Sequence, residues 1–440
     1  MPHARFRRQR VALLSVTLWK RRLVFLFGAI VVSLASVAFA RAADGAGAFF
    51  QFWSGELPYL PLVVTPLGYA FCAWCVAKYF PGAQGSGIPQ AIAARATRDL
   101  DHRQRLLGLR VAVGKVLLTT VALAVGASVG REGPTVQIGA SVMLIAASFA
   151  GIAHQRGFVL AGAAAGIAAA FNTPLAGVVF AIEEMARAFE RRITGLVITA
   201  VLVAGVTSLA LLGSYQYFGG VASHLGEPRQ WLAVPVCGLV GGVLGGLFSR
   251  GVIGLTFARE GVFGRLKARP FLFAAGCGLL VAALGLVTAG FATGSGYDQT
   301  REVLEGEGLL PWYYGLAKLL TTLVSSACGI AGGLFSPSLA VGASLAALVE
   351  PILPAMPLGA LGILAMVAYF AGVVQAPLTA FVIVYEMTSD TRMVVPLMAT
   401  SLIAAGVSRL VSAEPLYHTL ARGFTPRAVA EERQREKTEA

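Results

Sequence analysis

The chain has 440 residues, 56% of them hydrophobic and 13% charged, with a mean hydropathy of +0.73. A soluble domain carries about 25% charged residues, so a water-soluble core is excluded and lipid is the expected solvent. The net charge of +13 does not point to nucleic acid, because the basic residues gather in loops and tails between apolar runs, as in a membrane protein.

In chain order, residues 1–20 mix Arg, Leu, Val and Trp and read as a short amphipathic segment on the inner membrane surface. The apolar run 22–40 follows. With Ala38-Phe-Ala-Arg-Ala-Ala43 it imitates a secretory signal and its cleavage site. The long basic stretch, the late start of the run near Leu23 and the many later spans favour a first transmembrane helix instead. Six further runs reach the roughly 20 residues a span needs, at 58–79, 107–129, 194–213, 231–249, 270–292 and 394–412. Shorter or interrupted pieces at 132–152, 157–172, 174–185, 334–350, 360–373 and 377–386 predict tilted or partial helices. Their open backbone groups are tolerable in a bilayer only where protein or a wet cavity covers them. The expected fold is an all-α polytopic membrane protein with discontinuous helices. Its membrane transport domain spans 21–420, in two halves at about 21–220 and 231–418, and 421–440 is a solvated tail. The basic segments place both termini in the cytoplasm, and the loops at 55–58 and 224–227 outside. Cys72, Cys75, Cys237, Cys277 and Cys328 all lie in apolar segments and read as small buried hydrophobes, the Cys-x-x-Cys spacing at 72–75 included. The five histidines share no ligand spacing, so neither metal nor cofactor is expected.

Three Gly/Pro-rich turns carry the chemistry. Gly85-Ser-Gly-Ile-Pro89, Gly130-Arg-Glu-Gly-Pro134 and Gly332-Gly-Leu-Phe-Ser-Pro337 each precede an apolar helical stretch. Each reads as a helix start inside the membrane, with free N–H groups and the positive end of the helix dipole exposed. Ser86 adds a hydroxyl donor. Three such starts aimed at one point would seat an anion with partial charges of about +0.5 each, enough to hold it and weak enough to release it.

The last two turns belong to a repeat. Pro134 and Pro174 recur as Pro337 and Pro377 at one offset (337 − 134 = 203 and 377 − 174 = 203). Gly139, Ala140 and Glu183 map onto Gly342, Ala343 and Glu386 at that spacing. Broken helices that occur twice point to a transporter with its site between two halves. Glu132 lies inside one helix start, and its counterpart is Phe335 (335 − 132 = 203). An ionised carboxylate there could occupy the anion seat as a tethered substitute, and a protonated one could swing away. The repeat is therefore symmetric in backbone and asymmetric in chemistry. Glu183 and Glu184 end the apolar stretch from Pro174. Adjacent helical residues point about 100° apart, so the two face different neighbours, and a solvated helix end near the cytoplasm is one reading of Glu183.

These segments resemble the CLC chloride channel and transporter family. The three turns are similar to its selectivity motifs, in the same order. Residues 171–185, 377–388 and Pro415-Leu-Tyr417 resemble further family segments, and the likeness covers roughly 20–420. The resemblance implies a homodimer of inverted-repeat subunits, each with its own anion pathway, in a prokaryotic inner membrane. It implies that Ser86 and Tyr417 donate hydroxyls to a central anion. Backbone amides near Leu334 and Phe335 would join them, and Gly130, Arg131 and Gly133 are expected to bind the anion as well. Glu132 matches the family's external gating glutamate, and Glu184 the inner glutamate that takes protons in many exchangers. Ser86 is similar to the chloride-selective version of its motif, and the motif set does not resemble the fluoride-exporting branch. Gln90 departs from the pattern, which commonly has an acid there, and the paired regulatory domains of many members are missing. The expected activity is proton-coupled chloride antiport, with a passive chloride channel as the alternative. An enzyme would need a nucleophile–base pair or a metal cluster, and neither is evident.

Overall fold

The computed structural model describes residues 16–151, 156–186, 191–213, 216–219, 224–306, 310–353 and 356–426. Most of the expected inner-surface segment and most of the tail lie outside the described residues. Residues 16–20 form the first turn of the long Val16–Glu56 helix and run straight into the first apolar run.

Among the described residues there is no strand, only two isolated bridge pairs, and eight helical stretches are long and apolar enough to cross a membrane. Seven of them correspond to the seven long apolar runs. The eighth, Phe335–Ile352, is broken into Phe335–Ser344, Ala346–Val349 and Glu350–Ile352, as its interrupted sequence predicts.

The 203-residue repeat is a structural repeat. In the first half the Glu132–Phe149 helix packs on Arg156–Phe171, and in the second Phe335–Ser344 packs on Leu358–Val374. Both contacts depend on a glycine at the same register. A Cβ at Gly139 would lie 2.3 Å from the Gly162 carbonyl oxygen, and one at Gly342 would lie 2.7 Å from the Met366 Cα. Lipid offers no hydrophobic drive for helices to associate, so close backbone approach supplies the packing.

Each half then breaks its helix in the same way. Asn172 and Gln375 both take φ 56°, and Thr173 and Ala376 follow at φ/ψ of −125°/80° and −120°/81°. Proline opens the next helix, at Pro174–Phe180 and Pro377–Thr388. The residue before proline is kept out of the α region by the ring, so the break is written into the chain.

The halves interlock through a reciprocal cap. The Glu183 carboxylate accepts the amides of Leu378 (3.2 Å) and Thr379 (2.6 Å). The Glu386 carboxylate accepts those of Leu175 (3.0 Å) and Ala176 (2.6 Å). Each acid satisfies the helix start of the opposite half, as a two-fold relation between the halves requires. Glu183 is partly exposed, as a helix end would be, and its carboxylate also serves open amides at a helix N-terminus.

Candidate anion site and its gate

The three turns meet. Gly85 N–H donates to the Ile330 carbonyl (2.8 Å), and Gly332 N–H donates to the Gly85 carbonyl (3.1 Å). Gly130 and Gly333 exchange both backbone bonds, at 2.8 and 2.7 Å. Strand-like pairing of two residues at a time thus ties the 330–333 segment to both first-half turns. The starts of the Ile88–Ala96, Glu132–Phe149 and Phe335–Ser344 helices are held at one place. Glycine is required there by crowding. A Cβ at Gly133 would fall 2.2 Å from Ser86 Oγ, and one at Gly130 would fall 2.4 Å from Glu132 Oε2.

Glu132 is 1% exposed. Its side chain does not point along its own helix but crosses to the second half. Oε1 accepts the Ser336 hydroxyl (2.5 Å) and the Tyr217 hydroxyl (3.2 Å), and Oε2 faces the Ser336 N–H at 3.4 Å. The carboxylate therefore sits on the amide end of the Phe335–Ser344 helix. An unpaired ion in the membrane costs several kcal/mol, and donors at a helix start offset that cost.

On the other side of the turns lie two buried hydroxyls, Ser86 and Tyr417. Neither makes a hydrogen bond of normal geometry to another group of the protein among the described residues. Tyr417 is nonetheless within electrostatic reach of Ser86, Glu184 and Glu132. The Phe335 ring lies 5.9 Å from Tyr417, 4.8 Å from Phe370 and 6.1 Å from Phe171, so it walls the space between Tyr417 and the outer turns. Leu334, the residue before the Phe335–Ser344 helix, is buried beside it.

Glu184 is buried in the six-residue π-helical turn Ala181–Ala186 that follows Pro174–Phe180. His418 Nε2 donates to the Glu184 backbone carbonyl at 2.7 Å and lies 3.9 Å from the Glu184 carboxylate. Because His418 follows Tyr417 in the Leu416–Ala421 helix, this contact brings Glu184 beside the tyrosine. The two adjacent acids do face different neighbours: Glu183 turns to the facing half, Glu184 to Tyr417 and His418.

Of the expected site residues, Ser86, Gly130, Glu132, Gly133, Leu334, Phe335 and Tyr417 are gathered, with Glu184 at the edge. The Arg131 side chain is the exception. Its guanidinium pairs with Asp44 and donates to the Ala40 carbonyl (2.9 Å), both on the Val16–Glu56 helix. The Arg131 charge is thus matched by a carboxylate, and the helix starts keep their partial charges. Arg131, Asp44, Glu132, Tyr217 and Tyr297 line a cavity of about 630 Å³.

Several residues escaped the sequence reading. Lys115 is buried, and its ammonium donates to the carbonyls of Gln84 (3.3 Å) and Gly85 (2.8 Å), directly behind Ser86. Lys318, its counterpart (318 − 115 = 203), is also buried and donates to those of Thr293 (2.9 Å) and Gly294 (2.7 Å). A lysine in an apolar helix, recurring at the repeat offset, was a legible signal. Gln90, which the sequence already sets apart from the family pattern, holds the same first-half loop by donating to the Gln84 (2.6 Å) and Gly82 (3.1 Å) carbonyls, which an ionised carboxylate could not do. Asp44, Tyr217 and His418 carried no such signal.

An all-helical membrane protein whose two halves lend broken helix starts to one buried polar centre is a membrane transport protein by architecture. The profile of the voltage gated chloride channel family matches residues 68–409, and the chain belongs to that family. Solved structures are similar to it. A slow cyanobacterial Cl-/H+ antiporter has 24% identity and a TM-score of 0.75 over 93% of this chain and 99% of that one. A CLC-type fluoride/proton antiporter has 22% identity and a TM-score of 0.72 over 90% and 96%. A eukaryotic CLC transporter has 21% identity and a TM-score of 0.74 over 92% and 74%. At these identities the likeness concerns the fold.

Proposed function

We propose that this protein exchanges chloride for protons across a membrane and that Glu132 is the point where the two routes meet. One observation carries the reading: the Glu132 carboxylate occupies the amide end of a second-half helix, near two buried hydroxyls, Ser86 and Tyr417, that make no hydrogen bond of normal geometry among the described residues. A carboxylate is itself an anion, and a seat that holds one through hydroxyl and amide donors suits a halide. Chloride passes Tyr417 and Ser86 from the inner side and takes the outer seat when Glu132 is protonated and leaves. Protons reach Glu132 from Glu184, and Tyr417 stands within reach of both acids. The Cl-/H+ antiporter among the similar structures supports the same assignment. The family resemblance further supports a homodimer with one pathway per subunit, and the basic loops and tails support both termini in the cytoplasm.

The test is proton movement in liposomes that carry a chloride gradient. The wild-type protein should drive protons uphill. Glu132→Gln should keep chloride flux and lose proton movement, and Glu184→Gln should reduce coupling. A reversal potential that follows chloride alone would make the protein a passive channel.

A further inference from the structure

Tyr217 lies in the connection between the two halves, outside every helix. It is 4% exposed. Its hydroxyl donates to Glu132 Oε1 at 3.2 Å and stands 3.4 Å from Ser336 Oγ. The ring is held edge-on by Phe171 (5.4 Å), Phe218 (4.9 Å) and Tyr297 (5.1 Å). The main chain is held as well. The Tyr217 carbonyl accepts the Tyr297 hydroxyl at 2.6 Å, and Phe218 N–H donates to the Met387 carbonyl at 3.3 Å. A short connecting segment is thus fastened to both halves, and the Tyr217 hydroxyl at its end touches the carboxylate.

We propose that Tyr217 is a positioning residue for the gate: it latches the ionised Glu132 in its seat and sets the external proton concentration at which the seat is vacated. This rests on the reading of Glu132 as the gate.

The physical basis is a donor that favours one charge state. A phenol that bonds a carboxylate stabilises the ionised form. Burial, and then the charge of Glu132, push the Tyr217 hydroxyl upward from its ordinary value, so it remains a donor throughout the working range. The other groups facing Glu132 are accounted for. Arg131, next in sequence, is paired with Asp44 of the Val16–Glu56 helix. Ser336 donates from the Phe335–Ser344 helix, and Tyr417 reaches it electrostatically from Leu416–Ala421. Tyr297, with its neighbour Asp298, lies on the far side of the Tyr217 ring, across the cavity. Tyr217 also lines that cavity, from which external protons arrive, and it bonds to the carboxylate itself. It is therefore placed to act on the outer proton step and not on the inner one at Glu184.

The experiment compares wild type, Tyr217→Phe, Tyr297→Phe, Glu132→Gln and Tyr217→Phe/Glu132→Gln in proteoliposomes. Chloride efflux is measured against external pH, and the chloride-to-proton ratio alongside. Tyr217→Phe should move half-activation about one pH unit to the alkaline side, a tenfold lower proton concentration, with the ratio unchanged. Tyr297→Phe loosens the ring without touching the carboxylate and should shift it the same way by less. In the Glu132→Gln background Tyr217→Phe should change nothing. An unmoved pH profile for Tyr217→Phe, or the same rate change with and without Glu132, would overturn the latch. Proton coupling that survives Glu132→Gln would instead overturn the gate assignment, and the latch with it.

Discussion

The turn at Gly130–Pro134 and the turn at Gly333–Pro337 have one backbone and opposite chemistry. They pair with each other through two mutual hydrogen bonds, each opens a helix, and each helix packs on its neighbour at a repeated glycine. Yet one carries Glu132 and the other Phe335, which is walled by three rings and by Tyr417. The difference separates what symmetry can build from what it cannot. A two-fold arrangement makes a cradle of amide ends; a vectorial device needs an acid on one side of it. The Glu132 side chain crosses the pseudo-axis to sit on the helix that its own counterpart begins, so the asymmetric residue uses the symmetric site.

The two sides of this comparison can be pulled apart by substitution. The largest effect is expected from Gly133→Val. Its side chain would meet Ser86 Oγ at 2.2 Å and displace the paired turns, so chloride flux in liposomes should fall to background. The counterpart position holds Ser336, which tolerates a Cβ. Ser336→Ala removes a hydroxyl donor from Glu132 and leaves the backbone amide. It should therefore leave transport intact and shift the external pH profile to the alkaline side. Flux lost in Ser336→Ala would show that the serine binds the anion and not only Glu132.

Lys115→Met comes next. It deprives the Gln84 and Gly85 carbonyls of a buried donor, at a cost of about 1–3 kcal/mol, and it loosens the loop that presents Ser86. Chloride affinity by calorimetry should weaken by about tenfold. Lys318→Met should cost similar thermal stability without changing chloride affinity, because it holds the rim of the cavity beside Tyr297. Equal losses of affinity in the two variants would sink the distinction between the halves drawn here.

The smallest effect concerns the reciprocal caps. Glu183→Gln and Glu386→Gln each remove a charged acceptor from a helix start, worth about 1 kcal/mol. They should lower the apparent melting temperature by equal amounts, about 1 °C for a chain of this length, and leave coupling alone. Glu184→Gln should do the reverse.

Much of this was legible in the chain. The pairing of two helix starts followed from prolines that recur at one offset. The acid at Glu132 was conspicuous because a charge in an apolar segment is rare and expensive. The division between Glu183 and Glu184 was half legible: helical geometry separated their directions but could not say that Glu183 caps a helix some two hundred positions away. Arg131 shows the limit most plainly. Its motif placed it at the anion site, and only the approach of Asp44 from the first helix decided that its charge is spent elsewhere.

The sequence by itself determined the solvent, seven of the eight long apolar spans, the positions of the helix breaks and the existence of a twofold plan. All of these depend on local composition, on proline and glycine stereochemistry, or on spacing along one chain. The tertiary structure alone decided which side chains share a space: Tyr217 on Glu132, Asp44 on Arg131, His418 on Glu184 and the lysines on their loops. Those contacts join residues far apart in the chain, and nothing in a residue's own neighbourhood encodes which distant partner folding will bring to it.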